Sequence, residues 1–293
     1  MSKNLQEKII NLTPTNVLAV PQTHTIDEVY ALFKKLRLSA ALQALEDNFN
    51  LDSFVAMAFI DKLFTLLNAE CVKREENGFK RKVKSADLQS NANAITVISR
   101  LEQYKISRDL ADHLLDGGWV PLHERILIHG PCGTGKTDLA EAILSNLIKK
   151  GYNVRAFAFS LLMLELCSLH DSKVIEASVY IEKLKAYSKF DVILLDEFCQ
   201  GTYIEGMSTV VKEFIDVCNR NKCEIIVTSQ KTPAEWLGFL GSDDMAEAAI
   251  DRLLSQPRII ELDGDSFRSH KPLTELPENK GDSKKKVGGK RGK

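Results

Sequence analysis

Two hydrophobic patterns divide this chain. From Ile26 to Leu67 apolar residues recur every three or four positions, as on one face of an amphipathic helix. This spacing predicts three or four short helices that bury their apolar faces against one another. The recurring positions are Val29, Leu32, Phe33, Leu36, Ala41, Leu42, Leu45, Phe49, Phe54, Phe59, Leu63, Leu66 and Leu67.

Beyond about residue 90 the pattern changes to short, continuous apolar runs separated by helical segments. Runs of this length indicate strands buried on both faces of a parallel sheet. We therefore expect an α/β domain in which helices cover both faces of a five-stranded parallel sheet, giving three layers. The five predicted strands lie within residues 125–130, 153–160, 191–197, 223–230 and 258–262.

The ends of the chain carry weaker patterns. Residues 1–24 contain Pro14 and Pro21 and have little periodicity, which predicts a flexible lead-in. Residues 269–293 are poor in apolar residues and rich in lysine and glycine, which predicts a disordered basic tail. Between them we predict a helical domain over residues 25–95 and the α/β domain over residues 96–268.

Composition excludes several classes of protein. The 293 residues are 44% hydrophobic with a net charge of −1, which suits a globular chain with a substantial core. No apolar run is long enough to span a membrane and no export signal is recognisable, so we expect a cytoplasmic protein without membrane contact. The six cysteines form no C-x-x-C pair and the six histidines lack zinc-ligand spacing, so no zinc site is expected.

The first predicted strand leads into a phosphate-binding sequence. Its pattern is G-x-x-x-x-G-K-[ST], in which backbone N–H groups surround phosphates, the lysine reaches the β- and γ-phosphates and the hydroxyl binds Mg²⁺. An apolar helical face follows at once, as this motif requires, so the sequence predicts binding of ATP with Mg²⁺. The motif comprises Gly130, Pro131, Cys132, Gly133, Thr134, Gly135, Lys136 and Thr137.

Cys132 lies inside this loop and has two interpretations. Its side chain is small enough to be tolerated where the backbone binds phosphate, which is the interpretation we favour. A thiol near cationic groups can also be acidic and open to oxidation, which would block ATP.

Two acids end the third predicted strand, "VILLDEF". Asp196 is expected to hold Mg²⁺, and Glu197 to orient and deprotonate the attacking water. Acids after strands also cap helices, but the position downstream of the phosphate-binding loop favours the catalytic interpretation.

Further candidates are less specific. Thr228, Ser229 and Gln230 end the fourth strand, where they would sense the γ-phosphate. Arg252 is a candidate arginine finger for a neighbouring subunit's site, and an ion pair with Asp251 or Glu247 is an equally good interpretation. Arg258 and Arg268 are rivals for the finger role.

A basic stretch spans residues 69–88. It suits a solvated helix, which charge alone favours, and also a helix that contacts nucleic-acid phosphates. Gly78 is a candidate interruption of that helix. The basic residues are Lys73, Arg74, Lys80, Arg81, Lys82 and Lys84.

These motifs, in this order and after a helical module, resemble the AAA+ ATPases of the initiator and helicase-loader clade. Over residues 26–268 the chain is similar, segment by segment, to the IstB-like transposition helper proteins. The matching segments are "LFKKLRLSAALQALE", "AECVKREENGFKRKVKSADL", "HGPCGTGKTDLAEAI", "VILLDEF", "VTSQ", "AAIDRLLS" and "ELDGDSFR".

This resemblance implies an ATP-dependent homo-oligomer that binds duplex DNA and assists a cognate transposase in target selection and integration. Carried over by position, Walker A is Gly130, Gly135, Lys136 and Thr137, and Walker B is Asp196 and Glu197. Sensor I falls on Gln230 and the arginine finger on Arg252.

The chain departs from the family at two places. Cys199 stands where members often have a glycine after the Walker B acids, and the next glycine is Gly201. The segment after the second strand, where members carry DNA-binding arginines, offers Lys173, with Lys183, Lys185 and Lys189 further along.

Two other functions fit the same motifs. A helicase loader would have the same ATPase module with N-terminal helices that bind a replicative helicase. An interaction module would bind ATP for structure without hydrolysing it.

Overall fold

The computed structural model describes residues 24–90, 92–171 and 177–263. Contacts divide the chain into two units, Met1–Lys80 and Arg81–Lys293. Four helices belong wholly or mainly to the first unit: α1 (Ile26–Lys35), α2 (Ser39–Asn48), α3 (Asp52–Ala56) and α4 (Phe59–Ser85), of which α4 continues beyond Lys80.

Of the predicted short helices, α1, α2 and α3 are present, whereas the last is the beginning of the longer α4. The predicted burial of the apolar positions is only partly correct, since six of them are exposed: Leu32, Leu36, Phe49, Phe59, Leu63 and Leu67. The start of α1 follows from local sequence. Thr25 and Glu28 form a reciprocal capping box at the start of α1, which satisfies backbone N–H groups that a helix leaves unpaired. A small core joins Ala41, Leu45, Phe54 and Leu66.

Gly78 does not interrupt the last helix of this unit, since α4 is continuous over 27 residues. A glycine inside a helix costs about 1 kcal/mol relative to alanine. A helix of this length tolerates that cost.

The second unit contains the parallel sheet. Its strands lie in the order β2-β3-β4-β1-β5 and every pairing is parallel. In chain order the elements are α5 (Ala94–Ser99), α6 (Leu101–Tyr104), α7 (Arg108–Asp116), β1 (Arg125–His129), α8 (Lys136–Lys149), β2 (Val154–Ala158), α9 (Phe159–Asp171), α10 (Ala177–Tyr187), β3 (Val192–Asp196), α11 (Met207–Arg220), β4 (Glu224–Ser229), α12 (Pro233–Leu240), α13 (Asp244–Leu253) and β5 (Pro257–Glu261).

All five strands lie where the apolar runs predict them. The central strands β1, β3 and β4 are buried almost throughout, whereas the edge strands β2 and β5 are partly exposed. An edge strand has one neighbour, so fewer of its side chains are covered, and its sequence pattern is correspondingly weaker.

Helices cover both faces of the sheet, which confirms the three-layer α/β fold. On one face Leu127, Leu195 and Val227 pack with α9, α11, α12 and α13 in one apolar cluster. On the other face α8 contacts β1, β2, β3 and β4, and its residues Leu139 and Ile143 are fully buried.

The division of contacts after Lys80 has a local cause. The Ala156 N–H of β2 donates to the Ala86 carbonyl at 2.8 Å, and the Arg155 guanidinium bonds the Ser85 carbonyl. Residues just beyond Lys80 therefore belong with the sheet.

The predicted domain limits at residues 95 and 268 stay predictions. Of the predicted lead-in, residues 1–23 lie outside the described residues, as does the whole predicted tail. In the part of the chain that is described, no helix is long and apolar enough to cross a membrane.

Candidate active site

The phosphate-binding loop links β1 to the first turn of α8. Gly130, Gly133 and Gly135 have φ values of 148°, 83° and 82°, in the region that favours glycine. At Gly130 an added Cβ would lie 1.9 Å from the Leu262 carbonyl oxygen. The backbone can therefore take this path only with glycine at that position.

Lys136 is buried at the start of α8. Its Nζ donates to the Gly130 carbonyl at 2.8 Å and to the Pro131 carbonyl at 2.6 Å. The Thr134 hydroxyl donates to the same Pro131 carbonyl at 2.9 Å. These bonds hold the ammonium group within the curve of the loop, beside the helix N-terminus that favours anions.

Thr137 faces the end of β3. Its hydroxyl donates to the two Asp196 carboxylate oxygens at 3.0 and 3.2 Å. A hydroxyl and a carboxylate oxygen in contact are the kind of ligands that Mg²⁺ accepts beside a nucleotide's phosphates, with water in the remaining positions. The residues present therefore fit this ion.

Thr228, at the end of β4, joins the two acids. Its hydroxyl donates to Asp196 and accepts the Glu197 backbone N–H at 3.0 Å. Glu197 has a φ of 57°, an uncommon conformation for a residue other than glycine. This turn leaves the Glu197 side chain exposed in the cleft that Lys136 and Thr137 also line.

The other two residues at the end of β4 lie in different surroundings. Ser229 is buried: its hydroxyl donates to the Phe198 carbonyl at 2.8 Å and accepts the Trp236 indole N–H at 3.1 Å. Gln230 lines the cleft, and its Nε2 donates to Gln200 Oε1 at 3.3 Å. Of the three predicted sensor residues, Thr228 and Gln230 thus reach the cleft.

Arg252 is not among the described residues that line the cleft of its own chain. Its guanidinium pairs with Asp216 of α11 and donates to the Ala248 carbonyl at 2.9 Å. The ion pair expected with Asp251 or Glu247 is thus made by a residue of another helix, which sequence spacing does not reveal.

The two other candidates for the arginine finger are Arg258 and Arg268. Arg258 donates to both Glu124 carboxylate oxygens at 2.8 and 2.9 Å, and this pairing holds the pKa of Glu124 below its usual value. Arg268 lies outside the described residues.

The two cysteines near the site differ in exposure. Cys132 is exposed in the loop and lines the cleft. Cys199 is fully buried, and burial raises the pKa of its thiol. Cys199 has a φ of 58°, so the backbone has the left-handed conformation that favours glycine, at the position where the resemblance led us to expect a glycine.

Arg100, Asp138 and Gln200 also line the cleft, and sequence analysis missed them. Arg100 lies about thirty positions before the phosphate-binding motif. Asp138 comes directly after that motif, and Gln200 comes two positions after the segment "VILLDEF". The spacing of Arg100 from the motif does not predict that it lines the cleft. Asp138, in contrast, could have been predicted there, because it directly follows Thr137.

Most of the predicted DNA-contacting positions are exposed, Lys183 is partly buried, and Lys173 has no described position. On α4 the basic residues are exposed, and Arg74 pairs with Glu70 at 2.8 Å. Lys183 pairs with Glu165 at 2.6 Å.

A family model described as "IstB-like ATP binding protein" matches residues 31–274. A protein of Mycobacterium tuberculosis, described as ATP-binding in an insertion sequence, is 25% identical over 242 residues, covering 81% of this chain and 92% of its own. The corresponding protein of insertion sequence IS21 from Pseudomonas aeruginosa is 27% identical over 234 residues, covering 77% and 80%.

Solved structures give a weaker likeness. AMPPCP-bound DnaA from Aquifex aeolicus has a TM-score of 0.48 at 20% identity, covering 61% of this chain and 52% of its own. The DnaC helicase loader has a TM-score of 0.41 at 19% identity, covering 53% and 89%. At these scores neither likeness carries functional weight.

Proposed function

Because the chain belongs to the IstB-like ATP-binding proteins, we propose that it is the ATPase of an insertion sequence, which assembles on duplex DNA and assists a transposase in target selection and integration. The observation that carries the ATPase part is the cluster of Lys136, Thr137, Asp196 and Glu197 at one edge of the sheet. The insertion-sequence context of the relatives carries the transposase part.

Each residue of the cluster has a chemical role in this proposal. Backbone N–H groups of residues 132–135 and the Lys136 ammonium bind the β- and γ-phosphates. Thr137 and Asp196 hold Mg²⁺, which neutralises charge on the phosphates when it is bound. Glu197 accepts a proton from the attacking water, and Gln230 contacts the γ-phosphate.

The arginine that completes the site comes from a second copy of the chain. Arg252 does not line the cleft of its own chain, as expected for a finger supplied to a neighbour. In this arrangement Arg252 leaves Asp216 when subunits assemble and contacts the neighbour's γ-phosphate. Hydrolysis then depends on the oligomer rather than on a single chain.

Contact with duplex DNA rests on exposed basic side chains. Lys80, Arg81, Lys82 and Lys84 lie within five positions near the end of α4, and all are exposed. Contacts of this kind to phosphates bind DNA with little sequence preference and weaken steeply with salt.

The test is the ATPase rate as a function of protein concentration, with and without duplex DNA. We expect cooperative, DNA-stimulated turnover in the wild type. Glu197→Gln should lower it by about 10²- to 10⁴-fold and Arg252→Ala by about 10³-fold or more, while both retain ATP binding. Glu205→Gln and Arg220→Ala, which replace exposed residues outside the cleft lining, should behave as the wild type.

Two results would decide against the proposal. Turnover that is independent of DNA and of protein concentration would mean that the site works alone and would favour a helicase loader. ATP binding without turnover in the wild type would identify a non-hydrolysing interaction module.

A further inference from the structure

Arg100 supplies a second cation to the nucleotide cleft. Among the described residues that line it, Lys136 and Arg100 are basic and Asp138 and Glu197 are acidic. Arg100 lies outside every motif, between α5 and α6, and nothing in the proposed mechanism uses it.

The segment over residues 89–100 is held against α8 by hydrogen bonds to two acids, Asp138 and Glu141. The Ser90 hydroxyl donates to one Asp138 carboxylate oxygen at 2.8 Å, and Arg100 Nη1 donates to the other at 3.1 Å. One helical turn further along, the buried Glu141 accepts the backbone N–H groups of Gln89, at 3.0 Å, and of Ser90. The backbone between these contacts is shaped by the Asn93 capping box that starts α5.

These contacts place the guanidinium at the N-terminus of α8, where the phosphate-binding loop ends. The Tyr104 hydroxyl and the Asp138 carboxylate raise the pKa of Arg100, so its charge is permanent. A guanidinium has five N–H donors in a fixed plane, so it can bond a carboxylate and a phosphate oxygen together.

The charge of Asp138 requires a counter-ion once a nucleotide binds. Its carboxylate is favourable at a helix N-terminus in the empty cleft but repels a triphosphate that binds at the same place. Arg100 removes this repulsion by pairing with Asp138. Arg100 and Asp138 both line the cleft, whereas the ion pair of Arg108 and Asp112 in the same unit lies outside its lining.

We propose that Arg100 is a nucleotide-binding residue, whose guanidinium contacts a phosphate of the bound nucleotide while it neutralises Asp138. The proposal rests on the ATP site described above and assigns it a contact from the segment that precedes the phosphate-binding loop. ATP is therefore bound between two cations, Lys136 from the loop and Arg100 from outside it.

The experiment is equilibrium binding of ATP, ADP and AMP with Mg²⁺ to the full chain without DNA. We expect Arg100→Gln to weaken ATP binding by about 10- to 100-fold, as the loss of a charge-assisted contact does. Asp138→Asn should retain affinity. The double variant should recover part of the lost affinity, because the Asp138 charge that repels the nucleotide is gone, but it should stay weaker than the wild type, because the phosphate contact is still missing. Comparing ATP, ADP and AMP identifies which phosphate Arg100 contacts. The difference in affinity between the wild type and Arg100→Gln should disappear for the first nucleotide that lacks that phosphate.

Arg108→Gln is the matched control and should bind as the wild type, since that arginine pairs with an aspartate outside the cleft lining. Arg100→Lys keeps the charge but loses the planar donors, so it should bind ATP with intermediate affinity. Thermal unfolding of each variant checks the fold, and Arg100→Lys serves as the test if Arg100→Gln does not fold.

Wild-type affinity in the double variant would show that Arg100 acts only on Asp138 and would overturn the proposal. Wild-type affinity in Arg100→Gln would overturn it as well, as would wild-type affinity in Arg100→Lys if Arg100→Gln does not fold. Failure of the proposed hydrolysis is a separate result, because the experiment measures binding without turnover. If Lys136→Ala binds ATP as the wild type does, the site itself has been misassigned.

Discussion

At the scale of single residues, one hydroxyl organises the acids of the site. Thr228 donates to Asp196 and accepts the Glu197 N–H, so it fixes the turn between the proposed metal-binding acid, Asp196, and the proposed base, Glu197. Glu197 and Cys199 both have positive φ values there. Such conformations cost about 1–3 kcal/mol each and are maintained by surrounding contacts, here the buried Phe198 between them.

Gly130→Ala tests the backbone requirement of the loop. The new Cβ would meet the Leu262 carbonyl at 1.9 Å, so the loop and the end of β5 must separate. We expect a loss of more than about 1–3 kcal/mol in the free energy of unfolding, since backbone strain alone costs that much, together with weaker ATP binding. Urea unfolding and nucleotide titration measure the two effects.

Gly151→Ala is the matched control for that substitution. Gly151 has a φ of 97°, and an added Cβ would meet nothing within 4 Å. Backbone strain should lower the stability of this variant while ATP affinity stays unchanged. Equal effects of the two substitutions on ATP affinity would show that the contact with Leu262 does not shape the site.

At the scale of elements, the order of the strands brings the motifs together. Because β4 lies between β1 and β3, its carboxyl end meets both the phosphate-binding loop and the two acids. In the first unit, the start of α2 depends on a side chain from another helix. Leu38, its N-cap residue, has no capping side chain, and Glu70 of α4 accepts the Ala40 N–H at 2.8 Å and the Ala41 N–H at 3.3 Å.

Glu70→Gln should loosen the start of α2. Burial acts to raise the pKa of Glu70, but bonds from Arg74, Ala40 and Ala41 outweigh it and lower the pKa below 4.5. The stabilisation is therefore complete above the ordinary pKa and is lost as the pH falls through the lowered value. We expect the variant to be about 1–3 kcal/mol less stable locally at pH 7.

Hydrogen exchange at the Ala40 and Ala41 amides measures this effect. Intrinsic exchange slows in acid, so the measured quantity is the protection factor, which is corrected for it. In the wild type the protection factors of both amides should fall as the pH goes from neutral into the acid range, and the variant should lack this dependence. Glu75→Gln, at an exposed position of the same helix, should leave both amides protected. Unchanged protection in Glu70→Gln would refute the cap.

At the scale of the whole molecule, one chain provides the parts of the proposed site in two places. The cleft is lined by Lys136 and Glu197, whereas Arg252 is paired with Asp216 of α11. Two inactive variants, each lacking a different part, should therefore complement each other if the sites are shared between subunits.

Mixing Arg252→Ala with Glu197→Gln tests the shared site. A chain with Arg252→Ala keeps Glu197, and a neighbour with Glu197→Gln offers Arg252, so mixed assemblies contain some complete sites. We expect the ATPase rate of the mixture to exceed the sum of the separate variants by about 10-fold or more, since an arginine finger contributes about 10³-fold or more. A mixture no more active than its parts would mean that Arg252 acts within its own chain.

The sequence by itself determined the five strands, the α/β fold and the phosphate-binding loop. These follow from local properties: apolar runs must be buried, and glycines at fixed spacing allow the backbone to bend around phosphate. Helix Phe59–Ser85 shows the limit of such reasoning, because its length outweighs the local cost of Gly78.

The tertiary structure alone decided which distant residues meet. Thr228 reaches Asp196 because of strand order, Arg252 pairs with Asp216 across two helices, and Arg100 reaches the cleft through Asp138. No spacing in the sequence encodes these contacts, because each depends on how separately formed elements pack. Which side chains are exposed, and which residues they contact, is decided only when the chain folds. The pattern that predicts a strand or a helix is already present in the sequence.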